Sequence, residues 1–226
     1  IADFDGACVK DPRHADACGN RGLAWLDIAE WEASRGNDAR ESFAKALSAY
    51  DDAIRIDPAN AGFYNSRGAT RRSLCDVLAR AGGDPRKDLE AAIADFDEAI
   101  RRNPAHLGAW LNRGNAHSDL GDHEAGRGGD PRPQYDLAVA DFDQGLLLNP
   151  ELAAAYNNRG LVRKSLGRWL EGRNLDPREA LGKAVADFEQ SLARNPQSAD
   201  ARLNLAMTRV ATGNAEEARG GDPRDD

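Results

Sequence analysis

The side chains that could do acid–base or metal chemistry are few, and their spacing argues against both. Asp-Phe-Asp occurs at 95–97 and at 141–143, but carboxylates at i and i+2 point to different sides of a helix and make a poor acid–base pair. His117 and His123 are six residues apart, which places them off a common helix face and without metal-ligand spacing. The glycine-rich stretches lack the Lys-Ser/Thr of a phosphate-binding loop. We therefore expect no catalytic residue, no metal site and no cofactor.

The three cysteines, Cys8, Cys18 and Cys75, cannot all pair among themselves and do not form a disulfide framework. In the repeat described below, Cys8 and Cys18 align with core positions. We expect them to be buried thiols that behave as small apolar side chains. Because both flank the same predicted corner, a disulfide between them is the alternative.

The sequence of 226 residues carries 38 acidic and 30 basic residues, a net charge of −8, with both signs interspersed. Nucleic-acid-binding proteins normally show a basic face, so this balance argues against nucleic acid and anionic membranes as partners. No apolar run approaches the ~20 residues of a membrane helix, so we expect no direct membrane insertion. The chain starts at Ile1 rather than Met, which leaves localisation open. A cytoplasmic location is favoured, with periplasmic and extracellular locations as alternatives.

An internal repeat with a period of 46 residues organises the chain. Three markers recur at that step without insertion or deletion: an Asx-Pro pair, Asn-Arg-Gly or a variant of it, and Asp-Pro-Arg or a variant of it. Such self-similarity is typical of arrays in which each repeat buries its apolar surface against its neighbours. The Asx-Pro pairs begin at Asp11, Asp57, Asn103, Asn149 and Asn195.

Each repeat is predicted to contain two helices. The first runs from the Asx-Pro pair to a glycine-rich turn. The second begins at Asp-Pro-Arg, where Asp is a good N-cap and Pro is tolerated at the first helical position. It should end at the next Asx-Pro pair, because the residue before proline disfavours helix. Apolar residues such as Ile93, Phe96 and Ile100 recur at i, i+3 and i+7 on this helix, and no segment shows convincing period-2 alternation, so no sheet is predicted.

The pattern resembles the tetratricopeptide repeat family over the whole chain. That family's unit has about 34 residues, so each repeat here carries 12 more, which we expect to lengthen both helices and to place Gly-Gly-Asp-Pro-Arg at the corner. The resemblance implies an all-α fold, a right-handed superhelical solenoid of antiparallel helix pairs. It also implies a single array over 1–226 that begins and ends in mid-repeat. In the second repeat the matching residues are Tyr64, Gly68, Ala92, Phe96, Ala99 and Pro104.

Two repeated features depart from a plain apolar core. A first-helix position that is usually aromatic or aliphatic in the family reads Trp25, Arg71, His117, Arg163 and Arg209, and we expect arginine stems to lie under the lengthened second helix. The arginines of Asn-Arg-Gly form a ladder opposite a repeated acid of the second helix, which predicts structural ion pairs between helices. An anion-binding ladder is the alternative. The two sets are Arg21, Arg67, Arg113 and Arg159, and Asp5, Asp51, Asp97, Asp143 and Glu189.

The resemblance further implies a concave groove, lined by the first helices, that binds a peptide or protein. Asparagine side chains there can donate to and accept from a peptide backbone, whereas the Lys and Arg of a clamp for a C-terminal carboxylate are mostly missing. The alternative is that these positions are simply polar and solvent-facing. The groove residues carried over by position are Asn65, Ala69, Arg72, Leu111, Asn115, Ser118, Asn157, Leu161, Lys164, Leu203 and Met207.

Both ends of the chain align with the middle of a repeat, which leaves three functions open. The first is a non-catalytic interaction scaffold that binds a protein or peptide in its groove. The second is a structural protein that assembles head to tail into a filament, since heterologous contacts that do not close give open assemblies. The third is a regulatory array within a larger protein. The residues predicted for head-to-tail self-association are Ile1, Phe4, Cys8, Leu205 and Arg209.

Overall fold

A computed structural model describes residues 14–217, and within that range it contains α-helices and no β-strand. The helices alternate between first and second helices of each repeat, as the sequence predicts, and the fold is an all-α, tetratricopeptide-like solenoid. The first helices are α1 (Ala15–Ser34), α3 (Ala61–Arg80), α5 (Leu107–Gly126), α7 (Ala153–Glu171) and α9 (Ala199–Glu217). The second helices are α2 (Arg40–Ile56), α4 (Arg86–Arg102), α6 (Arg132–Leu148) and α8 (Arg178–Arg194).

The second helices begin one residue later than the sequence predicts. Pro85, Pro131 and Pro177 occupy the N-cap position, and the following arginine is the first helical residue. The aspartate before each proline still satisfies the helix end, because its carboxylate accepts a hydrogen bond from the arginine main-chain N–H and binds the guanidinium. For Asp130 and Arg132 these distances are 3.1 Å and 2.6 Å.

A residue with positive φ ends the first helices at the glycine-rich corner. Gly36, Gly82 and Gly128 have φ of 75°, 78° and 82°, and Asn174 takes the same repeat position with φ of 57°. The next residue then donates its N–H back into the last helical turn, as Gly129 does to Glu124 O at 2.9 Å. This left-handed cap stops a helix where glycine or asparagine tolerates the conformation.

The Asx-Pro pairs end the second helices, as predicted. Asp57, Asn103, Asn149 and Asn195 are the C-cap residues, and the Asn103 side chain accepts from Ala105 N at 3.1 Å. The first helices have 19 or 20 residues and the second helices 17. The extra residues per repeat therefore lengthen both helices, which confirms the expected position of the corner.

Aromatic rings of the second helices form the core against glycines of the first helices. Phe96 and Phe188 are fully buried, and a Cβ atom added at Gly68 or Gly160 would lie 2.7 Å or 2.8 Å from the nearest atom of these rings. The close approach explains why each Asn-Arg-Gly ends in glycine. The predicted apolar face is thus correct at its phenylalanines, whereas Ile93 is only half-buried.

Residue contacts divide the chain into two compact units, Ile1–Ala116 (unit 1) and His117–Asp226 (unit 2), with the division inside α5. In unit 1, α1 contacts α2 and α3, and α3 contacts α2 and α4. In unit 2, α7 contacts α6, α8 and α9, and α8 contacts α9. The single array over 1–226 stays a prediction. Over residues 14–217, no helix is both long and apolar enough to span a membrane.

Candidate functional site

A buried carboxylate of unit 1 is held by two arginines. Asp95 of α4 is 5% exposed and accepts from Arg67 Nε at 3.0 Å and from Arg71 Nε at 2.9 Å. Arg67 also binds Asp51 of the preceding second helix, with 2.7 Å between Nη1 and Oδ1. Burial alone would lower the pKa of Arg67, but Asp95 and Asp51 raise it overall. Arg67 therefore ties α3 to both neighbouring second helices.

Unit 2 repeats this arrangement at the equivalent positions. Asp187 of α8 is 2% exposed and accepts from Arg159 Nη2 at 2.5 Å and from Arg163 Nη1 at 2.6 Å. Arg159 also binds Asp143 of α6. As in unit 1, burial opposes the charge of Arg159 and the two carboxylates outweigh it, so its pKa is raised.

The arginine ladder is therefore structural, as predicted, and its partners include acids that the sequence analysis missed. The predicted exposed acids do pair, as for Arg113 and Asp97 at 2.5 Å. The buried acids are the first Asp of each Asp-Phe-Asp or Asp-Phe-Glu triplet. The sequence signal that could have indicated these acids was a carboxylate next to the buried phenylalanine, together with an Arg at the usually apolar position of the first helix. The missed buried acids are Asp95, Asp141 and Asp187.

The other members of the atypical first-helix position also make polar contacts. His117 is 9% exposed, and its Nδ1 lies 2.9 Å from Gln134 Oε1. Arg209 binds Glu189 at 2.7 Å. The guanidinium groups of Arg71 and Arg163 bind buried acids of the second helix, and the expectation that the arginine stems lie under that helix stays a prediction.

In unit 1, the predicted groove residue Asn65 takes part in a hydrogen bond between α3 and α5. Asn112 Nδ2 donates to Asn65 Oδ1 at 3.0 Å, which links the two first helices. The remaining predicted groove residues of this unit are half-buried: Ala69, Arg72, Leu111 and Asn115.

In unit 2, an amide network links α7 and α9. Asn204 Nδ2 donates to Asn157 Oδ1 at 3.3 Å, and Lys164 Nζ donates to Asn204 Oδ1 at 3.4 Å. Burial and the neighbouring charge of Arg168 lower the pKa of Lys164. Ser118, on α5, is half-buried.

Four apolar side chains of unit 2 are exposed beside this network. Leu161 of α7 is 37% exposed, and Leu203, Met207 and Val210 of α9 are 60%, 52% and 65% exposed. Asn157, Leu161 and Lys164 with Leu203, Asn204, Met207 and Val210 are hereafter the groove face of unit 2. Contiguous exposed apolar surface of this kind commonly marks an interaction site.

Sequence reasoning missed the asparagines that make the links, Asn112 and Asn204. Both stand in the Asn-Arg-Gly marker, in Asn112-Arg113-Gly114 and in its variant Asn204-Leu205-Ala206. The recurrence of asparagine at this position could have predicted side-chain hydrogen bonds between successive first helices.

Of the predicted self-association residues, Ile1, Phe4 and Cys8 lie outside the described residues, and Leu205 is half-buried on α9. Cys18 is buried, as expected, but is disulfide-bonded rather than a free thiol. Cys75 is a buried free thiol. Between residues 14 and 217, no three His, Cys, Asp or Glu side chains are grouped so that they could hold a metal ion.

Comparison with known proteins supports the repeat family and the fold. Residues 86–128 and 178–220 each match a family model described as tetratricopeptide repeat. A thermophilic TPR protein of Thermus thermophilus is 20% identical, with a TM-score of 0.61 over 92% of this chain and 87% of that one. No curated protein matches the sequence.

Two further solved structures have the same fold. MamA is 18% identical, with a TM-score of 0.58 over 86% of this chain and 85% of its own. YrrB, described as a TPR protein with an unusual peptide-binding site, is 19% identical, with a TM-score of 0.55 over 95% of this chain and 86% of its own. With its 46-residue repeat, paired helices and matching segments, the chain carries tetratricopeptide repeats at residues 86–128 and 178–220 and has a tetratricopeptide-like fold.

Proposed function

We propose that the chain is a non-catalytic interaction scaffold whose groove face of unit 2 binds an extended peptide segment of a protein partner. The observation that carries the proposal is the exposed apolar row of α7 and α9 beside an amide network. YrrB, which has the same fold, is described as having a peptide-binding site.

The amide network leaves hydrogen-bonding capacity for a ligand. A primary amide has two N–H donors and two acceptor lone pairs. Asn204 gives one N–H to Asn157 and accepts one hydrogen bond from Lys164, so one donor and one lone pair remain for a peptide main chain. The network also fixes the rotamers of these side chains, which lowers the entropy lost on binding.

The apolar row sets the side chains that the peptide should carry. Leu203, Met207 and Val210 follow one another at i, i+4 and i+7 on α9, and Leu161 extends the surface onto α7. An extended peptide places alternate side chains on one face, so we expect apolar residues two apart. Because methionine adapts its shape, the surface should accept several apolar side chains.

Selection from a random peptide library on the immobilised 226-residue chain tests the proposal. Affinity of a selected peptide is then measured by calorimetry for L203S/M207S and N204A, with L147S as the matched control. Leu147 is 73% exposed on the second helix α6 of the same unit. We expect L203S/M207S to weaken binding at least about tenfold and L147S to leave it unchanged.

Equal losses in L203S/M207S and L147S would contradict the proposal, because the peptide would then bind outside the groove face. Unchanged affinity in L203S/M207S would contradict it as well. The regulatory role within a larger protein stays a prediction.

A further inference from the structure

The corner between α1 and α2 in unit 1 has the same backbone conformation as the corner that precedes α6 in unit 2. Gly36 and Gly128 have φ of 75° and 82°. In both corners the next residue donates its N–H into the last turn of the first helix, at 3.0 Å for Asn37 and 2.9 Å for Gly129. The surroundings of the two corners can therefore be compared residue by residue, each within its own unit.

In unit 2, an indole ring covers this corner. Trp169 Nε1 donates to Gly129 O at 3.2 Å, and the guanidinium of Arg132, the first residue of α6, lies 5.3 Å from the ring centroid. Arg173 stacks on the same ring at 4.3 Å and donates to Gly128 O at 2.8 Å. The corner thus offers a main-chain acceptor to the ring N–H and a cation to the ring face.

In unit 1, the same position is an open cleft. Val77 and Ala81 of α3 take the repeat positions of Trp169 and Arg173, and a cleft of about 420 Å³ remains between them and the corner. This volume lies within the range of roughly 300–1,000 Å³ that is typical of sites for small organic groups. The corner cleft is hereafter the cleft lined by Gly36, Asn37, Arg40, Val77 and Ala81.

The corner cleft has the polar groups that the indole ring uses in unit 2. Within residues 14–217, the carbonyl oxygens of Gly36 and Asn37 accept no hydrogen bond. Asp38 holds the guanidinium of Arg40 at 2.6 Å, and Arg132 is held by its own corner aspartate at the same distance. A ring placed as in unit 2 would therefore find an acceptor for its N–H and a guanidinium for its face.

We propose that the corner cleft of unit 1 binds the side chain of a tryptophan from a partner protein. The electrostatic match selects the indole, since its N–H suits the unused carbonyl of Asn37 and its electron-rich face suits Arg40. The cleft is open to solvent, so the main chain that carries the ring can stay outside it, as a polypeptide ligand requires. The proposal does not depend on the groove face of unit 2, which has none of these residues.

Titration of the ¹⁵N-labelled 226-residue chain with the acetylated and amidated peptide Gly-Gly-Trp-Gly-Gly tests the proposal. We expect amide chemical shifts to change at residues 36–37 and 77–81, with a dissociation constant of about 1 mM or tighter, because one side chain supplies the contact. The same peptide with 1-methyltryptophan has no ring N–H and should bind about threefold more weakly or worse. The peptide with alanine in place of tryptophan should cause no change.

The variant V77W/A81R grafts the Trp–Arg pair of unit 2 onto α3 and should fill the cleft from within. We expect it to weaken binding of the tryptophan peptide at least about tenfold and to raise the melting temperature, since it buries an aromatic ring. A79W is the matched control, because Ala79 is exposed on the same helix and does not line the cleft. The control should bind the peptide as the wild type does.

The reverse variant, W169V/R173A, should create a second cleft in unit 2. It places at the corner of α6 the same two side-chain types that α3 presents, apart from the register. We expect the number of bound tryptophan peptides to rise from one to two, with new shift changes at residues 128–129. Circular dichroism of the variant checks that its helix content equals that of the wild type.

Four outcomes would overturn the proposal. The first is a titration of the wild type without shift changes at the corner cleft. The second is equal peptide affinity in V77W/A81R and A79W. The third is a folded W169V/R173A that still binds one peptide. The fourth is free indole that binds at least tenfold more tightly than the peptide, because the site would then enclose a small molecule and not a side chain of a partner.

Discussion

Asp187 shows how one buried carboxylate can organise three helices. Its two arginines come from α7, and one of them also reaches α6. Each ion has a hydrogen-bonded partner, so the desolvation of the group is offset only while all members are present.

Asp187→Asn should therefore lower the free energy of unfolding by about 3 kcal/mol, because it leaves two guanidinium groups against a neutral amide. Asp143→Asn is the matched control: it removes the other partner of Arg159, but Asp143 is 45% exposed. We expect the control to cost less than about 1 kcal/mol. Urea denaturation checks both variants, and losses of equal size would refute a special role for the buried acid.

Two buried tyrosines are expected to make the stability of the fold fall at high pH. Burial raises the pKa of Tyr50 to about 12, and burial together with the Asp122 carboxylate, which accepts from the phenol at 2.6 Å, raises the pKa of Tyr135. A raised folded-state pKa stabilises fully below the unfolded value of about 10 and is lost as the pH rises through the folded value.

The free energy of unfolding should consequently fall between pH 10 and 12, by up to about 1.4 kcal/mol per pH unit for each tyrosine. The melting temperature of the wild type should fall with it. Y50F should make that decline shallower, and Y50F/Y135F shallower still. Thermal melts from pH 8 to 12 provide the test, and curves of identical slope for the three proteins would contradict the assignment.

At the scale of the helices, the sequence predicts most of what the structure shows. Asx-Pro ends, positive-φ corners and buried phenylalanines are local properties, so they can be read residue by residue. The buried acids could not be anticipated from hydrophobicity, because Asp95 and Asp187 are stabilised by arginines 24 and 28 residues away. The asparagine links were equally hidden, since they join residues 47 positions apart.

The glycines of the first helices are fixed by close packing, which an alanine series can show. In unit 2, Gly160→Ala would place a Cβ atom 2.8 Å from the Phe188 ring and should destabilise by about 1–3 kcal/mol through overpacking. Gly182→Ala, in α8 with no neighbour within 4 Å, should instead stabilise by about 0.5–1 kcal/mol, because alanine favours helix. Thermal denaturation of the two variants must give shifts of opposite sign.

Across the whole chain, the described contacts run between a helix and its near neighbours in sequence. Stability in such arrays is a sum of terms within repeats and between neighbouring repeats. The destabilisation caused by a substitution should therefore be confined to the helices near it. The groove residues carried over from the family could be placed on helix faces from the sequence. Which of them are exposed, and which satisfy one another, required the positions of neighbouring helices.

Hydrogen exchange followed by mass spectrometry should reveal this locality. In Asp187→Asn, amides of α7 and α8 should exchange faster than in wild type, with little change in α1 to α3. Asp95→Asn is the mirror variant and should accelerate α3 and α4 instead. A uniform acceleration along the chain in both variants would show a single cooperative unit.

The two kinds of ion pair made by Arg67 have a consequence for how such a chain can change its length. Asp95 and Arg71 belong to the same repeat as Arg67, whereas Asp51 belongs to the repeat before it. A gene segment that begins and ends at Asx-Pro codons therefore encodes a buried acid together with both of its arginines. It also encodes one exposed acid, whose arginine partner belongs to the segment that follows. Unequal recombination could add or delete whole segments of 46 codons without leaving a buried charge unpaired. An insertion or deletion of any other length would separate an arginine from its acid.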